Sequence, residues 1–505
     1  MERFLARHQS RILGTLSGFD RMLFRGSLRS ISYVKGLEIF LLCQHVLHKD
    51  FGKFVEKCSK RIIEHAKSMA ERKGRPYIFI QSSKESKEDT ARKIAERDKI
   101  KEGLIAIFRC VEPCQSFDIH KNRESKWLDL VSKERKCLHL YFYYVDREFG
   151  LMHVRLQTWI PFTIQVCING REWLSRQMTQ AGIEYTKREN CFTFISDFEK
   201  AQQIMDRLSE RKWQRMLNAF ARAVNPWIAR KERWNIRGYY WSVRQGEYAT
   251  DVVFKDSQQL ADLYQSLVKH AIFRFSSEDV MRFLQRRTDR RFSGEASTNM
   301  QRIEGIRVKH WVEENSIKMY DKQGSVLRIE TTINNPRRFK VYRRRSSGGK
   351  GWLPMRKGIA DLRRRVELSR SANARYLDAL SVVELETPSH RLMDGVSKRV
   401  QDRGRWYRPL RPISPEDAEL FKVIMQGQYS LQGIRNQDLQ KSLILNSSVK
   451  NYSAQIGRRL ALLRAHGLIY KVEGTHYYRI TKKGHELMST AIKFRQTDIA
   501  LLKAA

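Results

Sequence analysis

Two pairs of strand-like segments, each closed by a turn that contains glycine, constrain the fold of this chain most strongly. The first pair spans 137–160 with Gly150 in its turn, and the second spans 316–333 with Gly324 in its turn. Apolar and polar residues alternate along these segments, which is typical of β-strands with two different faces. Gly324 stands where a tight hairpin turn needs a positive φ. The sequence therefore predicts two β-hairpins.

Helical and strand patterns alternate elsewhere, which predicts an α+β protein of several domains. We expect an α/β region over 1–125 and a mixed α/β body with both hairpins and a basic helix over 126–385. A proline-rich linker over 386–413 and a C-terminal domain over 414–505 follow. Within the body, apolar residues at helical spacing predict one long helix from about Glu199 to Val224.

The chain carries 96 Lys and Arg against 55 Asp and Glu, a formal net charge of +41. A surplus of this size indicates a polyanionic partner, because cations that neutralise phosphates release condensed counterions. DNA is the expected partner and RNA the alternative. The sequence contains no apolar run of the roughly 18 residues that a membrane-spanning helix needs, so we expect no membrane contact.

All seven cysteines fall within the first 191 residues. An odd number in this arrangement does not indicate a secreted disulfide framework. A reducing compartment fits better, and we expect a cytoplasmic protein.

The last hundred residues carry well-defined boundaries of helices and strands. Ser414 and Pro415 are typical of a helix start, and Gly467 is suited to end a third helix that begins near Tyr452. Two short strands surround Glu473 and Gly474, and a closing helix follows. The predicted order is helix, helix, helix, strand, strand, helix.

This order, with the motif RRLALLRAHGLIYKVEGTHYYRITKKG, resembles the winged-helix domains of bacterial regulators, including those of the MarR class. The resemblance implies that the third helix enters the major groove and that the wing contacts the DNA backbone or minor groove. Docking against protein or RNA is the alternative. By the resemblance, the residues facing DNA are Lys450, Asn451, Gln455, Arg458 and Arg459 on the helix, with Lys471, Thr475 and His476 on the wing.

The second hairpin places cations, a phenol and a carboxylate on one face. A tyrosine can act as a nucleophile or a stacking surface, a glutamate as a metal ligand or base, and an arginine as a phosphate clamp. A merely solvated face, or contact with nucleic acid without catalysis, are the alternatives. The polar face consists of Lys318, Tyr320, Arg328, Glu330 and Thr332, and the apolar face of Ile317, Met319, Leu327 and Ile329.

The segments YDK and LRIE of this hairpin resemble a hairpin of plasmid and phage replication initiators, which nick one DNA strand through a tyrosine ester. The resemblance implies that Tyr320, Lys322 and Glu330 belong to a nicking site. The chain lacks the histidine–hydrophobic–histidine metal motif of that superfamily, since the nearest segment, His153–Gln157, has the wrong spacing. We therefore predict no dedicated metal ligands, and expect Mg²⁺ only if the protein is catalytic.

Three acidic residues near strand ends leave one route to such a metal site open. Asp20, Asp146 and Asp251 each lie in or beside a strand-like segment. Carboxylates at such positions hold Mg²⁺ around a scissile phosphate in two-metal nucleases.

Two further segments combine features of nucleic-acid contacts. Trp227–Arg244 interleaves aromatic residues with arginines, so Trp234 and Trp241 are candidates for stacking on unpaired bases, with packing in the core as the alternative. Arg337–Arg365 holds 12 Lys or Arg and one acid, which predicts a basic clamp on a phosphate backbone. The clamp candidates are Arg343, Arg344 and Arg345.

Together these features predict a DNA-binding protein in a mobile-element or replication context, with strand nicking as its candidate activity. A winged-helix transcriptional regulator without enzymatic activity is one alternative. A protein that binds RNA or a guide strand is the other.

Overall fold

The computed structural model describes residues 1–81, 85–124, 126–229, 238–285, 296–302, 306–383, 389–426, 429, 433–443 and 452–496. These residues form a mixed α/β structure with a large mixed sheet, in agreement with the predicted mixture of helices and strands.

The described strands are numbered in chain order. They are β1 (Ile12–Ser27), β2 (Tyr77–Phe79), β3 (Gly103–Lys121), β4 (Leu128–Asp146), β5 (Gly150–Gln157), β6 (Ile164–Asn169), β7 (Tyr185–Arg188), β8 (Cys191–Ile195), β9 (Tyr240–Phe254), β10 (Ala296–Arg302), β11 (Ile306–Val312), β12 (Asn315–Lys322), β13 (Val326–Thr332), β14 (Lys340–Arg344), β15 (Lys350–Pro354), β16 (Val400–Asp402), β17 (Arg405–Tyr407), β18 (Ile469–Lys471) and β19 (Tyr478–Ile480).

The described α-helices are numbered in the same way. They are α1 (Glu2–Arg7), α2 (Val34–Cys43), α3 (Phe51–Arg72), α4 (Lys87–Arg97), α5 (Gly170–Gln180), α6 (Phe198–Arg207), α7 (Trp213–Val224), α8 (Pro226–Ala229), α9 (Ser257–Phe273), α10 (Ser277–Phe283), α11 (Leu362–Leu380), α12 (Ser389–Asp394), α13 (Pro415–Ile424), α14 (Asn436–Ser442), α15 (Tyr452–Ala465) and α16 (Lys482–Gln496).

The chain divides into two compact units, each built from separate stretches of sequence. One unit comprises Met1–Leu13, Val252–Ile329 and Ser371–Ala505, and the other comprises Gly14–Asp251 and Glu330–Arg370. The division into four consecutive domains stays a prediction.

The unit that begins at Gly14 contains the strand order β9-β1-β6-β5-β4-β3-β2. The first predicted hairpin is formed by β4 and β5, which pair antiparallel from Asp146 with Gly150 to His139 with Gln157. Fully buried apolar side chains, including those of Phe142, Leu156 and Val166, form its core.

The unit that begins at Met1 contains the strand order β10-β11-β12-β13 together with α9, α10 and part of α11. Gln323 and Gly324 both have positive φ, as tight hairpin turns require, so the turn predicted at Gly324 is confirmed. The predicted apolar face of the second hairpin is confirmed as core, since every member is fully buried: Ile317, Met319, Leu327 and Ile329.

The C-terminal segment has a separate apolar core that includes Leu420, Ile456 and Leu463. Its described elements follow the predicted order of three helices, two strands and one helix. The Ser414 hydroxyl accepts a hydrogen bond from the Asp417 backbone N–H at 3.4 Å, and Gly467 has a φ of +71° after α15. Both residues therefore have the capping roles that their sequence positions predict.

One prediction about secondary structure is wrong. The helix expected from Glu199 to Val224 is interrupted between α6 and α7, where Arg211 has an extended backbone. Because of this interruption, the N–H of the buried Trp213 indole donates to the Leu208 carbonyl oxygen at 3.1 Å. The segment predicted as a linker over 386–413 contains α12 and the two-stranded ladder β16–β17, and its role as a linker stays a prediction.

Among the described helices, none combines the length and apolar character that crossing a lipid bilayer requires.

Candidate metal centre and nucleic-acid interface

Three carboxylates from three different strands meet in the unit that begins at Gly14. Asp20 lies on β1, Glu247 on β9 and Glu330 on β13, and one oxygen of each lies within 4.8 Å of the others. Asp20 is 3% exposed and Glu330 is 1% exposed, whereas Glu247 is half-buried. The cluster therefore combines two buried carboxylates with one that is more accessible to solvent.

The backbone around Asp20 is held by a close approach that only glycine permits. A Cβ atom on Gly170 would lie 2.1 Å from the Phe19 carbonyl oxygen. Gly170 begins α5, and the Asn169 side chain caps that helix by accepting from the Arg171 backbone N–H at 2.8 Å. The start of α5 consequently lies directly against β1 beside Asp20.

Two amides orient carboxylates of the cluster. The Asn190 side chain, between β7 and β8, donates to Asp20 Oδ2 at 2.5 Å. The Gln245 side chain donates to Glu247 Oε1 at 2.7 Å. Hydrogen bonds of this kind fix the direction of carboxylate ligands, as outer-shell partners do in metal sites.

The spacing of these oxygens suits a divalent cation. Oxygens that coordinate one Mg²⁺ at about 2.1 Å are about 3 to 4 Å apart, so a small side-chain adjustment brings the three carboxylates to that distance. Two ionised carboxylates about 5 Å apart repel each other by about 3 kcal/mol at an effective dielectric constant near 20. A bound cation replaces this repulsion with attraction.

Only one of the three acids expected near strand ends belongs to this cluster. Asp251 forms a buried ion pair with Arg171, at 3.0 Å between Oδ2 and Nη2. Asp146 Oδ1 accepts backbone N–H bonds from Glu148 and Phe149, at 2.9 and 3.0 Å, and so closes the turn after β4. These two aspartates have structural partners, whereas Asp20 joins the carboxylate cluster.

Sequence reasoning placed Glu330 in a candidate site but missed Glu247. Glu247 follows Gln245 and Gly246 within β9, and nothing in this local pattern distinguishes it from other acids. Only the order of β1 and β9 in the sheet indicates that it reaches Asp20.

The polar face predicted for the second hairpin is more buried than expected. Arg328 is fully buried, because both faces of β13 are covered, and Lys322 at the end of β12 is 7% exposed. The expected phosphate contact by Arg328 is therefore wrong, since its side chain is not accessible. Tyr320 and Lys318 remain half-buried on β12, and the Lys318 ammonium lies 5.4 Å from the centre of the Tyr320 ring.

The basic segment after β13 forms the hairpin β14–β15. Arg344 and Arg345 are exposed, as a clamp on phosphates requires. Arg343 is half-buried and directs its guanidinium to Asp361, at 3.5 Å, and to the Pro354 carbonyl oxygen, at 3.0 Å. Arg343 therefore stabilises the hairpin through these two contacts. Of the three clamp candidates, Arg344 and Arg345 are the accessible cations.

The two tryptophan candidates have different outcomes. Trp241 is fully buried, and its indole N–H donates to Asn218 Oδ1 at 2.9 Å. Its predicted stacking on bases is wrong, and it packs in the core. Trp234 lies outside the described residues.

The candidate DNA contacts of the C-terminal segment are partly described. Arg458, Lys471 and His476 are exposed, and Gln455 and Arg459 are half-buried. The opposite side of α15 is anchored by buried residues such as Ile456 and Leu460. Lys450 and Asn451 lie outside the described residues.

Comparison with known proteins found no matching family model, no similar curated protein and no similar solved structure.

Proposed function

We propose that the protein binds nucleic acid and cleaves a phosphodiester bond with a divalent cation held by Asp20, Glu247 and Glu330. DNA in a mobile-element or replication context is the proposed substrate. The observation that carries this proposal is the meeting of three carboxylates, two of them buried, in a chain with a formal net charge of +41. In so basic a protein, a cluster of carboxylates is explained by a role as ligands of a divalent cation that contacts phosphate.

The chemistry needs only water as a second reactant. A water oxygen attacks phosphorus, the bond to the leaving oxygen breaks, and that oxygen takes up a proton. Asp20, Glu247 and Glu330 would hold the cation, which would stabilise the charge that builds up on the phosphate oxygens and lower the pKa of the attacking water, whose proton passes to solvent. The exposed Arg344 and Arg345 supply contacts to the flanking backbone.

Recognition of duplex DNA is proposed for the C-terminal segment, as a winged-helix domain. The order of its described elements supports this proposal, as do the exposed Arg458 on α15, Lys471 on β18 and His476 between β18 and β19. In such domains the third helix reads the major groove.

The central experiment is a cleavage assay with labelled single-stranded and duplex DNA in Mg²⁺, in Mn²⁺ and in EDTA. We expect metal-dependent cleavage by the wild type and at least a 100-fold loss in Asp20→Asn and in Glu330→Gln. Glu102→Gln is the matched control, because Glu102 is exposed and lies just before β3, outside the carboxylate cluster. Cleavage that survives both cluster substitutions contradicts the proposed metal centre.

Tyr320→Phe separates hydrolysis by water from transfer through a tyrosine ester. Hydrolysis by water leaves the activity of Tyr320→Phe near that of the wild type. A nicking mechanism instead abolishes cleavage in this variant and gives the wild type a covalent DNA adduct.

A sequence-specific regulator without chemistry is the second candidate function. It is favoured by the exposed cations of α15 and the following ladder, which need no catalytic centre to act. Tight binding to one duplex sequence, with no cleavage in any metal, is the outcome that supports it.

A further inference from the structure

The hairpin β14–β15 exposes two aromatic side chains that pair across its strands. Tyr342 is 57% exposed and Trp352 is 56% exposed, and the two residues are direct partners in the antiparallel ladder. Their ring centres are 5.6 Å apart and the ring planes are inclined by 60°. We define this pair as the aromatic platform.

Cations surround the aromatic platform. Exposed and more buried residues alternate along both strands, so Lys340, Tyr342 and Arg344 share the exposed face of β14. Lys350 and Trp352 share the exposed face of β15, and neither strand contains Asp or Glu. The outer face therefore carries three cations, two aromatic rings and Pro354, and no acid.

The contacts that hold the hairpin leave more than half of each aromatic side chain of the platform exposed. Val341 packs against a small core formed by Ile333, Phe339, Met355 and Leu368. The Arg364 side chain donates to the Lys340 carbonyl oxygen at 3.1 Å, and its guanidinium lies 5.6 Å from the centre of the Trp352 ring. The strands are thus fixed without burial of the aromatic platform.

We infer that the aromatic platform stacks on an unpaired base while Lys340, Arg344 and Lys350 contact the phosphates of the same strand. Aromatic side chains beside cations bind single strands in this way, whereas a continuous duplex hides the faces of its bases. With ring planes inclined by 60°, the two rings do not clamp a base between parallel faces, so the base stacks on the outside of one ring. This inference rests on the proposed function and adds that the substrate has a single-stranded segment.

The experiment measures binding of the full chain to labelled oligonucleotides in EDTA, which prevents cleavage. The probes are a 12-nucleotide thymidine strand, the uridine strand of equal length and a 20-base-pair duplex without overhangs. We expect the double variant Tyr342→Ala with Trp352→Ala to weaken single-strand binding by roughly 5- to 100-fold, which corresponds to one lost base stack. Its affinity for the duplex stays within about twofold of the wild type.

Three further variants separate stacking from folding and from charge. Tyr342→Phe with Trp352→Phe keeps both rings and is expected to retain single-strand binding. Trp406→Ala removes another exposed tryptophan, 67% exposed on β17, and is expected to have no effect. Arg344→Ala with Lys350→Ala is expected to weaken binding to all probes and to lower the salt dependence.

Each outcome bears on one claim. Equal losses on single strand and duplex in the Ala variant, or no loss on either, overturn the aromatic platform. Loss of binding to the uridine strand alone identifies RNA as the stacked strand and overturns the assignment to DNA. A wild type that binds none of the probes removes the proposed function itself, whereas intact duplex binding with unchanged single-strand affinity removes only the platform.

Discussion

The guanidinium of Arg171 lies 3.0 Å from the carboxylate of Asp251, and the two side chains are 0% and 1% exposed. Arg171 also donates to the Ala249 carbonyl oxygen at 3.2 Å. The pair joins the first turn of α5 to β9, the strand that carries Glu247. The ion pair therefore fixes the position of β9 and, with it, of Glu247 in the candidate metal centre.

Removal of one partner of this pair is expected to be costly. Asp251→Ala leaves the Arg171 charge buried without its partner and should lower the free energy of unfolding by about 3 to 5 kcal/mol. The midpoint of urea unfolding, followed by circular dichroism, measures this loss. The double variant Arg171→Met with Asp251→Leu should recover part of it, because no charge remains buried. A loss below about 1 kcal/mol in Asp251→Ala contradicts the interpretation.

Metal binding should raise stability through the carboxylate cluster. A cation that binds only the folded state stabilises it in proportion to the logarithm of its concentration over Kd. We expect Mn²⁺ to raise the melting temperature of the wild type and of Glu102→Gln. The same addition should leave Glu247→Gln nearly unchanged, and without metal this variant should be at least as stable as the wild type, since one repulsive charge is gone. Thermal melts across a series of Mn²⁺ concentrations test both statements.

Buried histidines should make the protein less stable in mild acid. Burial lowers the pKa of His310 to about 4, and its ring nitrogens pair with the hydroxyls of Thr298, at 2.9 Å, and Tyr376, at 3.0 Å. Between about pH 6.5 and pH 4 the unfolded chain binds a proton at this residue and the folded chain does not, so stability falls as the pH falls.

From pH 7 to pH 5 this residue alone should lower the free energy of unfolding by roughly 2 kcal/mol. His310→Gln should show a correspondingly shallower loss over that interval, whatever its stability at pH 7. Urea unfolding at the two pH values measures the difference. Identical pH dependence in variant and wild type would falsify the assignment of a neutral, buried His310.

The C-terminal cations should control duplex affinity separately from cleavage. Arg458→Ala with Lys471→Ala removes two exposed charges, and duplex binding at physiological salt should weaken by roughly 10-fold or more, with a smaller dependence on salt. Cleavage of short single strands should be unaffected, because the carboxylate cluster is unchanged. Binding titrations at several salt concentrations, together with the cleavage assay, check the two results. Unchanged duplex affinity removes these residues from the interface.

Local features of the fold follow from the sequence because they depend on residues that are close together in the chain. The alternation in the second hairpin identifies Ile317 and Leu327 as core, and both are fully buried. Ser414, which the sequence places at a helix start, accepts from the Asp417 backbone N–H at 3.4 Å. A period of two and a capping side chain each act over a few residues, so their consequences can be predicted without the tertiary structure.

Burial of polar side chains is different, because it depends on what packs against a strand. Arg328 and Glu330 lie on the face that alternation marks as polar, yet both are buried. Alternation distinguishes the two faces of a strand but does not show whether the polar face is covered. The same reason explains Trp241, whose aromatic and basic neighbours suggest an exposed stacking surface although it packs in the core.

The amino-acid sequence by itself determined the strong positive charge, the mixture of helices and strands, the hairpin turns and the starts and ends of several helices. Only the tertiary structure brought Asp20, Glu247 and Glu330 together and placed Tyr342 and Trp352 on one exposed face. The physical reason is that strand order and register join residues far apart in the chain, and these pairings depend on the packing of the whole sheet and not on any local pattern.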